Sequence, residues 1–243
     1  MSSPRVETAL FPTGSRARVL QITQHTRVDD VVDALELPTP RMVVILNGST
    51  AKVAPELETQ LAGILQDGLA RFAAETHVTV VTGGTDAGIF HLLGEGFGKF
   101  GCPAACIGIA VADLVTWTDP AGDRVPLEPH HSHFVLVRGH DWGDETEAMY
   151  GLVDRLARGR PSVALFASGG EIAIHEMQAN LAQQRAMIML AGSGRLTDTV
   201  LKVRAGHSTE DDRILEIARY DKIIPYDIGQ SASGLARLLG QWL

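Results

Sequence analysis

Three glycine turns each end a short apolar run and open a helical pattern. They are Thr82-Gly83-Gly84-Thr85-Asp86-Ala87-Gly88, Ser168-Gly169-Gly170-Glu171 and Gly192-Ser193-Gly194-Arg195. A strand that stops at glycines and hands over to a helix leaves backbone N–H groups pointing into open space, a seat for phosphate or another anion. Strands alternating with helices also restrict the topology to βαβ units, and hence to a parallel sheet covered on both faces. The expected fold class is therefore α/β, a Rossmann-like parallel sheet sandwiched between helices. Such sheets bind ligands at the carboxyl ends of their strands, where all three turns lie.

The periodicity fills in the elements. Strands are expected at residues 18–22, 42–46, 78–81, 105–111, 134–137, 162–167, 187–190 and 223–225. Leu57, Leu61, Ile64, Leu65, Leu69 and Phe72 recur at three and four and define one amphipathic helix over Pro55–Glu75. Further helices are expected over 28–37, 86–97, 144–156 (with Asp144 as N-cap), 172–185, 196–203, 211–220 and 233–243. Residues 1–15 carry Ser, Pro, Gly and Thr without apolar period and read as a loose N-terminal arm. Residues 16–243 read as a single domain. The 119–129 connection is long and irregular, and beside a crevice it could serve as a lid.

The 243 residues carry a net charge of −8, which disfavours a large phosphate-backbone footprint, so no nucleic-acid partner is expected. The apolar runs are too short to span a membrane, and no secretory leader pattern opens the chain. A cytoplasmic setting is the expectation. Cys102 and Cys106 read as small hydrophobic residues. No cofactor is expected.

Within the turns, Thr82, Gly83, Gly84, Thr85 and Gly88 form the first candidate seat. The second is Ser168, Gly169, Gly170 and Glu171, with Glu171 facing a ribose hydroxyl or base amine. Glu176, five residues on, could orient water or stabilise a ribosyl cation. In the third turn, Gly192, Ser193 and Gly194 offer N–H groups and Arg195 a guanidinium suited to phosphate. His131 and His133 would share a face of an extended segment and could chelate a metal, but no further ligand stands at useful spacing. His133 is read instead as a polar wall of the pocket, and no metal is expected. The first turn lacks the Gly-Lys-Ser/Thr of a P-loop and is not Gly-x-Gly-x-x-Gly. No nucleophile elbow is present.

Taken in order, Val80–Gly88, Ile107–Ala110, His131–Val137, Glu147, Gly169-Gly170 and Ala191–Asp198 resemble the SLOG superfamily of nucleotide-ligand-binding domains. The nearest likeness is to its branch in melastatin-type transient receptor potential channels and their free-standing prokaryotic relatives. The resemblance covers roughly residues 40–204. It implies a Rossmann-like sheet and an adenine-ribose-phosphate ligand related to ADP-ribose or another NAD-derived nucleotide, bound by a sensor module. It also implies self-association as a homodimer or higher, with output through oligomerisation or a separate effector protein. More distant relatives, the Lonely Guy phosphoribohydrolases, cleave base from ribose 5′-phosphate with a Pro-Gly-Gly-x-Gly-Thr-x-x-Glu signature. Gly169, Gly170 and Glu176 fall in register with it, while Ser168, Ile172 and Ala173 replace its Pro, third Gly and Thr. The alternative implied is an N-glycosidase using Glu176 or Glu171.

Overall fold

The computed structural model describes residues 5–51, 53–118 and 122–243. In chain order the first half comprises β1 (Val6–Leu10), β2 (Arg16–Ile22), α1 (Val28–Leu35), β3 (Val43–Gly48), α2 (Pro55–Ala62), α3 (Arg71–Thr76), β4 (Thr79–Thr82), α4 (Gly88–Phe100) and β5 (Ala105–Val111). Then follow β6 (Val115–Thr116), β7 (Val125–Pro126), β8 (His133–Val137), α5 (Thr146–Leu156), β9 (Ser162–Ala167) and α6 (Glu171–Ala182). The chain continues with β10 (Ala186–Ala191), α7 (Arg195–Arg204), α8 (Asp212–Arg219), β11 (Ile223–Asp227) and α9 (Ala232–Leu239).

Nine strands form one sheet in the order β1-β2-β8-β5-β4-β3-β9-β10-β11. Every pair is parallel except β1 with β2. Strands buried on both faces send alternate side chains into two cores. Val43 and Ile45 of β3 join α1, α5, α6, α7 and α8 on one face. Met42, Val44 and Leu46 join α2, α3, α4 and α9 on the other. This is the α/β sandwich expected from the alternation of elements.

Three local expectations are corrected. The segment read as a loose arm carries β1, which pairs with β2 from Val6↔Leu20 to Leu10↔Arg16. An edge strand needs only one partner, and this one buries Ala9 alone while Leu10 stays exposed. That is why it shows no apolar period. The helix over 55–75 is interrupted by a π-helical stretch, Gly63–Ala70. There the neighbours come unusually close: a Cβ on Gly68 would lie 3.2 Å from the Ala232 carbonyl oxygen, and one on Gly96 would lie 2.6 Å from Ala70 Cβ. Asp144 does not cap α5. Its Oδ2 accepts from the N–H groups of His140 and Asp141 at 2.9 and 3.1 Å, and the helix starts two residues later.

Chain growth reverses at β3. Strands β4, β5 and β8 are laid down on one side of it, β9 and β10 on the other. The crossovers diverge there and leave a crevice at the carboxyl ends of β3, β4 and β9.

The first glycine turn is fixed into this frame by close packing. Gly84 has φ +70°, and an added Cβ would lie 2.7 Å from Gly108 Cα on β5. Gly84→Ala should therefore cost at least about 2 kcal/mol of stability. Urea unfolding checks this; a midpoint equal to the native one would mean the two backbones can part without penalty.

Candidate functional site

A cavity of ≈ 580 Å³ occupies the crevice. Gly48 and Ser49 reach it from β3, Gly83 and Thr85 from the first glycine turn, Gly170 and Glu171 from the second, and Arg195 from the start of α7. Ile172, Ala173 and Glu176 share one face of α6 and also line it. Phe90, Trp142, Glu145 and Met149 complete the wall.

The three turns do different jobs. In the first, Thr82 is buried, and its Oγ1 accepts from Gly84 N–H at 2.9 Å and meets His131 Nε2 at 2.7 Å. His131 Nδ1 in turn lies 2.7 Å from Glu128 Oε2. Burial pushes the Glu128 carboxyl up, but hydrogen bonds and charge from His131 and His130 outweigh this and hold it below its ordinary value. Both nitrogens of His131 are thus committed within the protein. The turn is also pinned to the long connection: Asp86 N–H donates to Pro126 carbonyl at 2.7 Å, and Glu128 N–H to Gly84 carbonyl at 2.9 Å. The part of that connection at residues 119–121 lies outside the described residues. At α4, Ile89 N–H already reaches Ser49 carbonyl at 3.5 Å. Gly88 borders a neighbouring cavity of ≈ 340 Å³, as does Ser168.

The first turn leaves Ala87 and Gly88 N–H without a partner among the described residues, and the second turn is open as well. Among the described residues the N–H groups of Gly169 and Gly170 make no hydrogen bond. They stand at the start of α6, where the helix dipole favours an anion. Ser168 before them is held at φ 61°, a costly conformation for a residue with a side chain.

The third turn supplies what holds it. Ser193 Oγ accepts from Ser168 N–H at 2.7 Å, and Thr197 binds Ser168 carbonyl through its N–H at 3.0 Å and its hydroxyl at 2.7 Å. The N–H groups of the third turn's first three residues are spent. Gly192 and Gly194 donate to the Asp198 carboxylate at 2.8 and 3.0 Å, and Ser193 to Leu190 carbonyl at 3.2 Å. Gly192, Ser193 and Gly194 thus hold inside the protein the N–H groups that the sequence offered to an anion, and they buttress the second turn. Arg195 does face the crevice. Its Nη1 donates to Ser49 Oγ at 3.0 Å across the mouth, and a Cβ on Gly170 would lie 3.6 Å from its Nη2.

Two further expectations change. His133 opens β8, so it sits at the amino end of the sheet, away from the crevice. Burial, with Arg18 nearby, lowers its pKa to about 4, and its Nδ1 contacts Ser132 Oγ at 2.8 Å. Glu171 borders the cavity, but Arg213 of α8 holds its carboxylate in an ion pair. Glu176 is where the spacing placed it. Burial pushes its pKa up to about 8, with the Glu145 carboxyl adding to the effect. Glu145, itself buried and raised by that burial, was not visible in the sequence, because Asp144 beside it looked like the cap. Trp142 is another wall residue that no motif marked.

The comparisons agree with this fold. Residues 41–235 match the family model described as SLOG in TRPM, prokaryote, and the chain belongs to that family. It is similar to transient receptor potential cation channel subfamily M member 2 of Rattus norvegicus, 22% identical over 227 residues, covering 76% of this chain and 14% of the channel subunit. Member 7 of the same species is 24% identical over 264 residues, with 89% and 14% covered. The chain thus spans about one-seventh of the length of these relatives. The X-ray structure of TM1055, a structural genomics target, superposes with a TM-score of 0.55 at 18% identity, covering 82% of this chain and 99% of that one, a likeness of fold. No helix among the described residues is long and apolar enough to cross a membrane.

An acid whose pKa is raised in the folded state binds its proton more tightly there than in the unfolded chain. Its contribution to stability is complete below the ordinary value of 4.5 and is lost as pH rises through about 8. Glu176→Gln should remove that loss and raise stability at about pH 8.5 by on the order of a few kcal/mol. Melting curves across this range check it; an unchanged pH slope would show that Glu176 ionises normally.

Proposed function

We propose that the crevice binds a nucleotide with an adenine-ribose-phosphate group, of the ADP-ribose or NAD-derived class, and that the protein acts as its sensor. The observation that carries this reading is the free N–H pair of Gly169 and Gly170 at the start of α6, with the Arg195 guanidinium beside Gly170 in the cavity. Two phosphate oxygens can accept from the pair, the α6 dipole adds to the attraction, and Arg195 supplies the full charge. The cavity suits a ligand of nucleotide size, and Phe90, Met149 and Ile172 give it apolar wall for a base. Membership in the SLOG family supports the same ligand class. The output we propose for such a sensor is self-association or contact with a separate effector.

Titration calorimetry with ADP-ribose and AMP tests the reading. Arg195→Ala should weaken binding by about 10- to 100-fold with a melting point near the native one. Equal affinity would remove Arg195 from the site.

A second reading, hydrolysis of an N-glycosidic bond, is favoured by one observation: Glu176 faces the same cavity and holds its proton near neutral pH. A protonated carboxyl there can donate to a departing base. Chromatography after incubation with AMP decides between the two. Free adenine that disappears with Glu176→Gln would establish the enzyme; intact AMP at saturating protein would leave the sensor.

A further inference from the structure

The cavity is electrically lopsided. At one end stand Gly170, whose N–H is free, and Arg195; along the wall stand two carboxyls, Glu145 and Glu176. Glu145 Oε2 accepts from Gly143 N–H at 2.7 Å, and the Glu176 carboxyl has no hydrogen-bond or ion-pair partner among the described residues. The charged and titratable groups around them offer no balance. Asp144 precedes Glu145, the Tyr150 hydroxyl comes from α5, Glu171 on α6 is tied to Arg213, and Arg195 is turned to Ser49. A second observation points to a ligand. Thr85 is only 3% exposed, lines the same cavity, and its hydroxyl has no partner. A buried hydroxyl left unpaired costs stability unless something else satisfies it.

The spacing has a chemical meaning. Glu176 lies about 9 Å along α6 from Gly170, so an anion and a ring joined by one sugar could meet both ends. We infer that the crevice takes a ribose-phosphate ligand whose ring is positively charged, such as an N-ribosyl pyridinium, with the ring against Glu145 and Glu176. This rests on the nucleotide-binding reading and narrows it. A cation beside the pair lets both carboxyls ionise, which alone they resist.

NAD+ and NADH isolate the charge, because they differ by one hydride on the ring, and ADP-ribose supplies the phosphates without the ring. Calorimetry at about pH 8.5 should show NAD+ binding about tenfold more tightly than NADH. At about pH 6.5 the preference should shrink, because Glu176 then keeps its proton. The double variant Glu145→Gln/Glu176→Gln should bind NAD+ and NADH alike. Where it does not fold, Glu176→Gln alone should reduce the preference. Equal affinities in the native protein, with ADP-ribose still bound, would overturn this inference and leave the nucleotide reading standing. A preference that survives both substitutions would also overturn it. No saturable binding of any of the three would overturn both.

Discussion

Strand β3 is hydrogen-bonded on both edges, to β4 on one side and β9 on the other, and the direction of chain growth reverses across it. The crevice follows from that reversal. Its floor and sides are the ends of three adjacent strands, so residues 48, 83 and 170 meet although they are far apart in the chain. The two cores that clamp β3 from either face keep those ends in place. Placing function on the carboxyl ends of a rigid sheet lets short turns hold a ligand without their own packing.

Backbone accounting then separates three similar-looking turns. A buried N–H must find an acceptor, so an N–H without one at a crevice is informative. Asp198 satisfies two N–H groups of the third turn, and Thr82 satisfies Gly84 in the first. Among the described residues, Gly169 and Gly170 stand open as a pair at the start of α6, as Ala87 and Gly88 do at the start of α4. The third turn instead spends Ser193 on holding Ser168 in its strained conformation. One turn is presented, and another keeps it presentable.

Much of this was legible in the sequence. Continuous apolar runs ending in glycine located β3, β4, β9 and β10, and the in-register Glu176 reached the cavity. What was not legible has physical reasons. The edge strand β1 buries too little to carry a period. His133 lies in a ligand-like motif, but it begins its strand, and only strand direction tells that it faces away. The Asp198 carboxylate could have been read as a helix-start acid closing on its own turn, since it sits three residues into α7. Glu145 and Trp142 come to the cavity through a loop whose path no periodicity encodes.

The central claim is that, of the three turns, the second receives the phosphate. Amide NMR of the glycines during titration with ADP-ribose tests it most directly, because each turn contributes its own glycine N–H groups. The account predicts large shifts at Gly169 and Gly170, with Gly192 and Gly194 little changed behind Asp198. Large shifts at Gly192 and Gly194 with Gly169 and Gly170 unmoved would contradict it.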